Sequence, residues 1–241
     1  MKNQYVGDIG DYTKFGFLRA FESAGLHIGL NWYLTPDDSR SDGRHITYLD
    51  APCDTPDFEL YCILKQVVQN NIRRVSELER VGLIRNAIYY NEPLDFSKTL
   101  DKMLFRAQWH SRALAALSAQ DVVLLDPDNG LEVKSTRPHH IHGNKFTAYK
   151  EVVDYYYAGA SVIVYNHRDR SPQEKYLERF TRFRDIESTA NAEMFYLRAS
   201  RFSMRDYLFL IQPKHNKILR TVVDNMLKTS WSKYLTYYEI T

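Results

Sequence analysis

Asp126-Pro127-Asp128-Asn129-Gly130 places two carboxylates and an amide within four residues, directly behind the apolar run at 122–125. Crowded acids can raise one carboxyl pKa or hold a water for attack. Asn129-Gly130 admits the positive φ that would aim such a group inward. The same residue types also build an ordinary Asx turn ahead of a helix, so both readings stand. A second polar stretch, Thr35 to Arg44, alternates Asp37, Asp38 and Asp42 with Arg40 and Arg44. Its arginines suit phosphates, and its aspartates suit a water or a base amino group; a self-paired, solvated loop has the same composition. Five carboxylates across the two stretches would suit Mg²⁺ by their oxygen chemistry, but neither a phosphate-binding glycine loop nor a nuclease-type lysine accompanies them.

A third cluster, Asn166-His167-Arg168-Asp169-Arg170-Ser171-Pro172, follows the apolar run at 161–165. Histidine titrates near neutrality and can donate to a developing anion. His139-His140-Ile141-His142 suggests a metal by composition, but adjacent spacing lets few of the three converge. Trp32 could stack on a base, although Trp32 and Tyr33 also read as core. Arg179, Arg182 and Arg184 lie together on one charged helix and suit a solvated face.

These clusters depend on the elements around them. Residues 11–24 read as an amphipathic helix, with Phe15, Leu18 and Phe21 at helical spacing and Gly25 as the stop. Residues 27–34 read as a buried strand and 45–49 as a returning one. Helices are expected at 57–70, 76–82, 97–118, 147–158, 172–186 and 215–229. Strands are expected at 86–90, 122–125 and 161–165, with 193–198 and 206–211 pairing as an antiparallel hairpin. Strands alternating with long helices imply an α/β fold: one three-layer domain over 1–241, with a central, mostly parallel sheet and a C-terminal antiparallel hairpin. If the strands are parallel, the loops after 34, 125 and 165 share the rim where such sheets bind ligands.

Composition bounds the function classes. The chain has 241 residues, 44% apolar and 26% charged, with 32 Lys+Arg against 30 Asp+Glu. A chain of this length buries roughly 70–75% of its unfolded surface and needs no staple to fold. A formal charge of +2 excludes a histone-like polycation but leaves room for a local basic groove. Eighteen tyrosines can stack on flat ligands or fill a core; Tyr155, Tyr156 and Tyr157 read as helix packing. Cys53 and Cys62 fit neither zinc nor disulfide spacing. No signal-like stretch or membrane span is legible, so a cytoplasmic protein is expected.

Two family resemblances follow from these motifs. GDIGDYTKFGFLRAF ahead of a strand, with LLDPDNG ahead of a helix and strand, resembles the bacterial ribosomal-RNA adenine methyltransferases. Their glycine-rich loop cradles S-adenosylmethionine, but here the stretch is TPDDSRSDG, and Asp126-Pro127-Asp128-Asn129 stands where they carry Asp-Pro-Pro-Tyr. Pro36-Asp37-Asp38 after an early strand, with Asn166 to Pro172 after a late one, is similar in order and placement to the uracil-DNA-glycosylase superfamily. That family's Gly-Gln-Asp-Pro-Tyr-His and His-Pro-Ser-Pro motifs are matched only in part. The whole chain also resembles a bacterial family with LTPDD and DPDNGLEVKS signatures, close to anti-phage glycosylases that remove glucosylated hydroxymethylcytosine. The resemblance implies a DNA glycosylase without a cofactor, acting on double-stranded DNA such as phage DNA with modified bases. Asp126, Asp128, Asn129 or Asp37 would then serve the water and His167 the departing base. Arg40, Arg44, Lys134, Arg168 and Arg170 would grip phosphate, and Trp32 would stack on a base.

Overall fold

Val122–Leu125 is buried at all four positions, as a central parallel strand covered on both faces requires. The elements around it come from a computed structural model that describes residues 1–39, 43, 45–50 and 55–240. In chain order they are α1 (Ile9–Ser23), β1 (Ile28–Asn31), α2 (Phe58–Gln69), α3 (Val75–Arg80), β2 (Ile88–Tyr90), α4 (Lys102–Leu117), β3 (Val122–Leu125), β4 (Gly130–Leu131), β5 (Phe146–Thr147), α5 (Tyr149–Tyr157), β6 (Ser161–His167), α6 (Gln173–Thr181), β7 (Glu193–Ala199), β8 (Arg205–Ile211), α7 (Pro213–Leu227) and β9 (Leu235–Glu239).

The main sheet has the order β2-β1-β3-β6-β8-β7-β9. β2, β1, β3 and β6 are mutually parallel. β8 runs against β6, β7 against β8, and β9 against β7, so only β8 and β9 oppose the common direction. The period-2 alternation along each strand sorts the core into two clusters. Val122, Leu124, Ile163 and Phe209 pack with Phe15, Leu18 and Leu219 of α1 and α7, and with Leu64 of α2. Val123, Leu125, Val162 and Leu208 pack with Trp109 of α4, Val152 of α5 and Phe180 of α6. The result is the expected three-layer α/β architecture. No helix among the described residues is long and apolar enough to cross a membrane.

Three expectations need correction. The strand expected over 27–34 stops at Asn31, because Tyr33 turns out of the sheet at φ +44° and its N–H bonds the Asn31 side chain at 3.1 Å. Residues 45–49 form no strand: Thr47–Asp50 is a 3-10 turn, and the His45 carbonyl accepts from Ile9 N at the start of α1. The C-terminal hairpin gains a third strand, β9, whose backbone pairs along β7.

From β1 the chain goes to β2 on one side and later returns to β3 on the other. At that reversal the carboxyl ends of β1 and β3 lie side by side on the edge of the sheet where open α/β folds bind ligands. Because β1, β3 and β6 are adjacent and parallel, the loops that follow them share one rim.

Candidate functional site

A cavity of about 300 Å³ opens on this rim, between the carboxyl ends of β3 and β6 and the N-terminus of α1. Asp126 enters it directly from β3. Its N–H bonds the Asn31 carbonyl at 3.0 Å, extending the ladder, and its side chain is 5% exposed. One carboxylate oxygen pairs with Nζ of Lys14, and the other makes no hydrogen bond among the described residues. Lys14 also lies 2.8 Å from Asp11 Oδ1, while Asp11 Oδ2 accepts from Gly7 N at 2.8 Å.

Three charges thus share a buried site. Burial opposes the Lys14 charge, but Asp11 and Asp126 outweigh it and hold the ammonium above its ordinary pKa. At Asp11 burial prevails over the attraction of Lys14, and the carboxyl is raised above its usual range. Asp8 caps α1 by accepting from Gly10 N at 2.9 Å. It also takes Arg205 Nη2 at 2.7 Å and His45 N at 3.1 Å, which ties β8 and the 45–50 segment to the helix start. Tyr165 lines the cavity from β6, and its burial pushes the phenol up to about 12.

Asp128 and Asn129 are brought to the cavity wall, as is His167. Asp128 Oδ1 lies 2.7 Å from the Met1 α-amino group, and Thr35 Oγ1 donates to Oδ2 at 3.3 Å. Asn129 is exposed, and its carbonyl accepts from His167 N at 3.2 Å. Gly130 supplies the expected positive φ, +109°, and a Cβ there would meet Asn166 Oδ1 at 2.4 Å. His167 belongs to β6 itself and stands exposed at the mouth, so the third strand reaches two residues further than 161–165.

Other sequence candidates lie elsewhere. Asp37 is exposed and does not line the cavity; its carboxylate accepts from Gln4 N at 3.1 Å. Trp32 is buried, stacks on Tyr89 and donates to Glu79 at 2.7 Å, so it offers no face to a base. Arg168 is spent on its own loop: it donates to the Ser171 carbonyl at 2.7 Å and lies 4.4 Å above the Tyr176 ring. Lys134 and Arg170 are exposed but are not part of the cavity wall. Arg40 and Arg44, like Asp42 and Cys53, lie outside the described residues. Arg179, Arg182 and Arg184 hold Asp169, the Tyr149 ring and the Ile240 carbonyl. Tyr155 and Tyr156 pack as expected, whereas Tyr157 is 84% exposed.

Sequence reasoning missed Asp8, Asp11, Lys14, His45 and Arg205. The first three had a readable signal: at positions i, i+3 and i+6 they run along the buried and mostly apolar first turns of α1. Among the described residues no group of three or more His, Cys, Asp or Glu side chains is arranged to hold a metal ion. No protein-family model matches the chain, and no curated protein is similar to it at a significant level.

Proposed function

We propose that the chain is a hydrolase of N-glycosidic bonds, acting in the cytoplasm on a base turned out of double-stranded DNA, with modified phage DNA as the target. The observation that carries this reading is Asp126: a buried carboxylate, held by Lys14 on one oxygen, with a cavity the size of a small ligand site on its other side. Hydrolysis of this bond needs an anion where positive charge develops on the sugar, a positioned water and a donor for the departing base.

Asp126 would face the sugar and orient the water, whose oxygen bonds to C1′ as the C1′–N bonding pair leaves with the base; the proton that the water gives up would end on the departed base. His167 at the mouth would steady the departing base. Methyl transfer finds less support. In cofactor-binding α/β folds, glycines after the first strand let the backbone approach the ligand. Here Trp32 and Tyr33, both buried, fill that position behind β1.

The test is to incubate the full chain with duplexes bearing plain, hydroxymethylated or glucosylated cytosine, and with phage DNA carrying the same bases. Abasic sites are read by alkaline strand cleavage and released base by mass spectrometry. Release from at least one modified substrate, lost in Asp126→Asn, is the expected result. Absence of release from every substrate overturns the reading, and heat on titration with S-adenosylmethionine would favour methyl transfer instead.

A further inference from the structure

Between Glu132 and Glu151 the chain carries no acidic residue, whereas Lys134, Arg137, Lys145, Lys150 and three histidines fall in that interval. In a protein with 32 Lys+Arg against 30 Asp+Glu, this is a local excess of positive charge. Lys150 is answered by Asp154 at 2.7 Å. Lys134 and Arg137 are exposed and have no carboxylate partner among the described residues. By contrast, Arg19, Arg80, Arg106, Arg112, Arg198 and Arg220 each hold a carboxylate.

The segment is built as a rigid arm. Successive turns fold it: Thr136 N bonds the Val133 carbonyl at 3.0 Å, His140 N the Arg137 carbonyl at 2.9 Å and Gly143 N the His140 carbonyl at 2.8 Å. Arg106, buried and paired with Glu151, donates to the carbonyls of Pro138, Gly143 and Phe146. Gly143 packs so closely that a Cβ would meet the Pro138 carbonyl oxygen at 2.3 Å. The base of the arm belongs to the candidate site: Asn129, on the cavity wall, donates its N–H to the Lys145 carbonyl at 2.9 Å. A loop ordered in advance loses little conformational freedom when a partner binds, so its charges bind better than those on a flexible tail.

We infer that residues 133–145 form a rigid cationic arm that grips the phosphate backbone of double-stranded DNA beside the nucleotide in the cavity. The inference rests on the proposed reading for the identity of the partner and adds the surface that holds the flanking duplex. The cavity itself does not suit a phosphate, because its cations are committed: Lys14 to Asp11 and Asp126, Arg205 to Asp8, and the Met1 α-amino group to Asp128. The backbone must therefore be held outside it. Lys134 and Arg137 would each neutralise a phosphate, Arg137 through parallel N–H donors. The exposed His140 and His142 add ring N–H donors.

Lys134→Gln with Arg137→Gln removes both charges from exposed positions, so the double variant should keep the wild-type melting temperature. Arg85→Gln is the control: it removes an exposed charge ahead of β2, at the opposite end of the strands, that also has no carboxylate partner among the described residues. Binding of each full-length variant to a fluorescein-labelled duplex is read by anisotropy over a salt series. Each phosphate contact contributes about 0.9 to the slope of log K against log salt concentration. The double variant should therefore lose about 1.8 of slope and weaken equally on plain and modified duplexes, with Arg85→Gln unchanged.

A slope unchanged in the double variant, or lowered as much per charge in Arg85→Gln, overturns the arm. Duplex binding too weak to titrate in the wild type also overturns it. Loss of binding to phosphatidylserine vesicles with duplex binding intact overturns it in favour of a membrane surface. Base release plays no part in this readout. A wild-type chain that binds duplex through Lys134 and Arg137 but releases no base from any DNA sinks the glycosylase reading and leaves the arm standing.

Discussion

Lys14→Met isolates the charge at the centre of the candidate site. Methionine keeps the length and apolar volume of the lysine stem, so packing changes little. The variant loses one ammonium, placed between Asp11 and Asp126 and 5.4 Å above the Trp32 ring, where all three charged side chains are at most 5% exposed. Removing one partner of a buried ion pair costs about 3–5 kcal/mol, because the other charge stays behind unpaired. Here two carboxylates stay behind facing one another, which places the loss in the upper part of that range. For a chain of this length each kcal/mol shifts Tm by about 2–4 °C, so a fall of about 8–20 °C is expected at pH 8.

The pH dependence carries the sign. Burial and the facing Asp126 already raise Asp11 against the pull of Lys14, so without Lys14 its folded-state pKa rises further above the unfolded value of about 4. As pH falls, the folded variant takes up protons before the unfolded chain does, and stability is recovered. The deficit against wild type should therefore narrow from pH 8 to pH 5, and Asp126→Asn in the Lys14→Met background should recover part of it at pH 8. Urea unfolding at both pH values reads the difference. A deficit below about 1 kcal/mol at pH 8, or one unchanged at pH 5, would refute the view that Lys14 is the counter-charge of two buried carboxylates.

Gly130→Ala should cost about 2–4 kcal/mol by urea unfolding, because φ is +109° and the new methyl would meet Asn166 Oδ1 at 2.4 Å; a neutral variant would show that the turn re-forms without strain. Arg106→Met should cost about 3–5 kcal/mol. Burial works against the Glu151 charge, but Arg106 overcomes it and holds the carboxyl down at about 2. Arg106 also binds the carbonyls of Pro138, Gly143 and Phe146, so amide exchange over 137–147 should accelerate; unchanged exchange there would remove Arg106 as the anchor of that loop. His215 lies between Ser161 Oγ, 3.0 Å away, and Asp121. Burial, then the charge of Lys214, lowers its pKa against the opposing pull of Asp121. The unfolded chain thus binds a proton that the folded chain resists, and stability should fall as pH drops below about 6.5. His215→Gln should flatten the pH 7.5–5.5 part of that dependence, and an unchanged slope would assign it to another group.

The legible parts of this molecule were those written in local pattern. Four consecutive apolar residues bounded by aspartates mark β3, and an Asn-Gly pair marks a turn where a side chain cannot fit. Alternating strands and helices place three polar loops on one rim. What stayed hidden was which distant residues meet there. Lys14 and Asp126 are 112 positions apart, and nothing in either segment names the other. Composition misleads in the opposite direction at Trp32 and Arg168, residue types suited to nucleic acid that the fold uses for packing and for closing a loop. A rule of thumb follows from the contrast. Charged residues at i, i+3 and i+6 on helical turns that are otherwise mostly apolar, as in Asp8, Asp11 and Lys14, cannot all face solvent if those turns are buried. Burial then demands partners of opposite sign, and the polar strand ends of an α/β sheet are where such partners are found. The candidate site and the stability of the core are for this reason one cluster of charges, and a change in either should be felt in both.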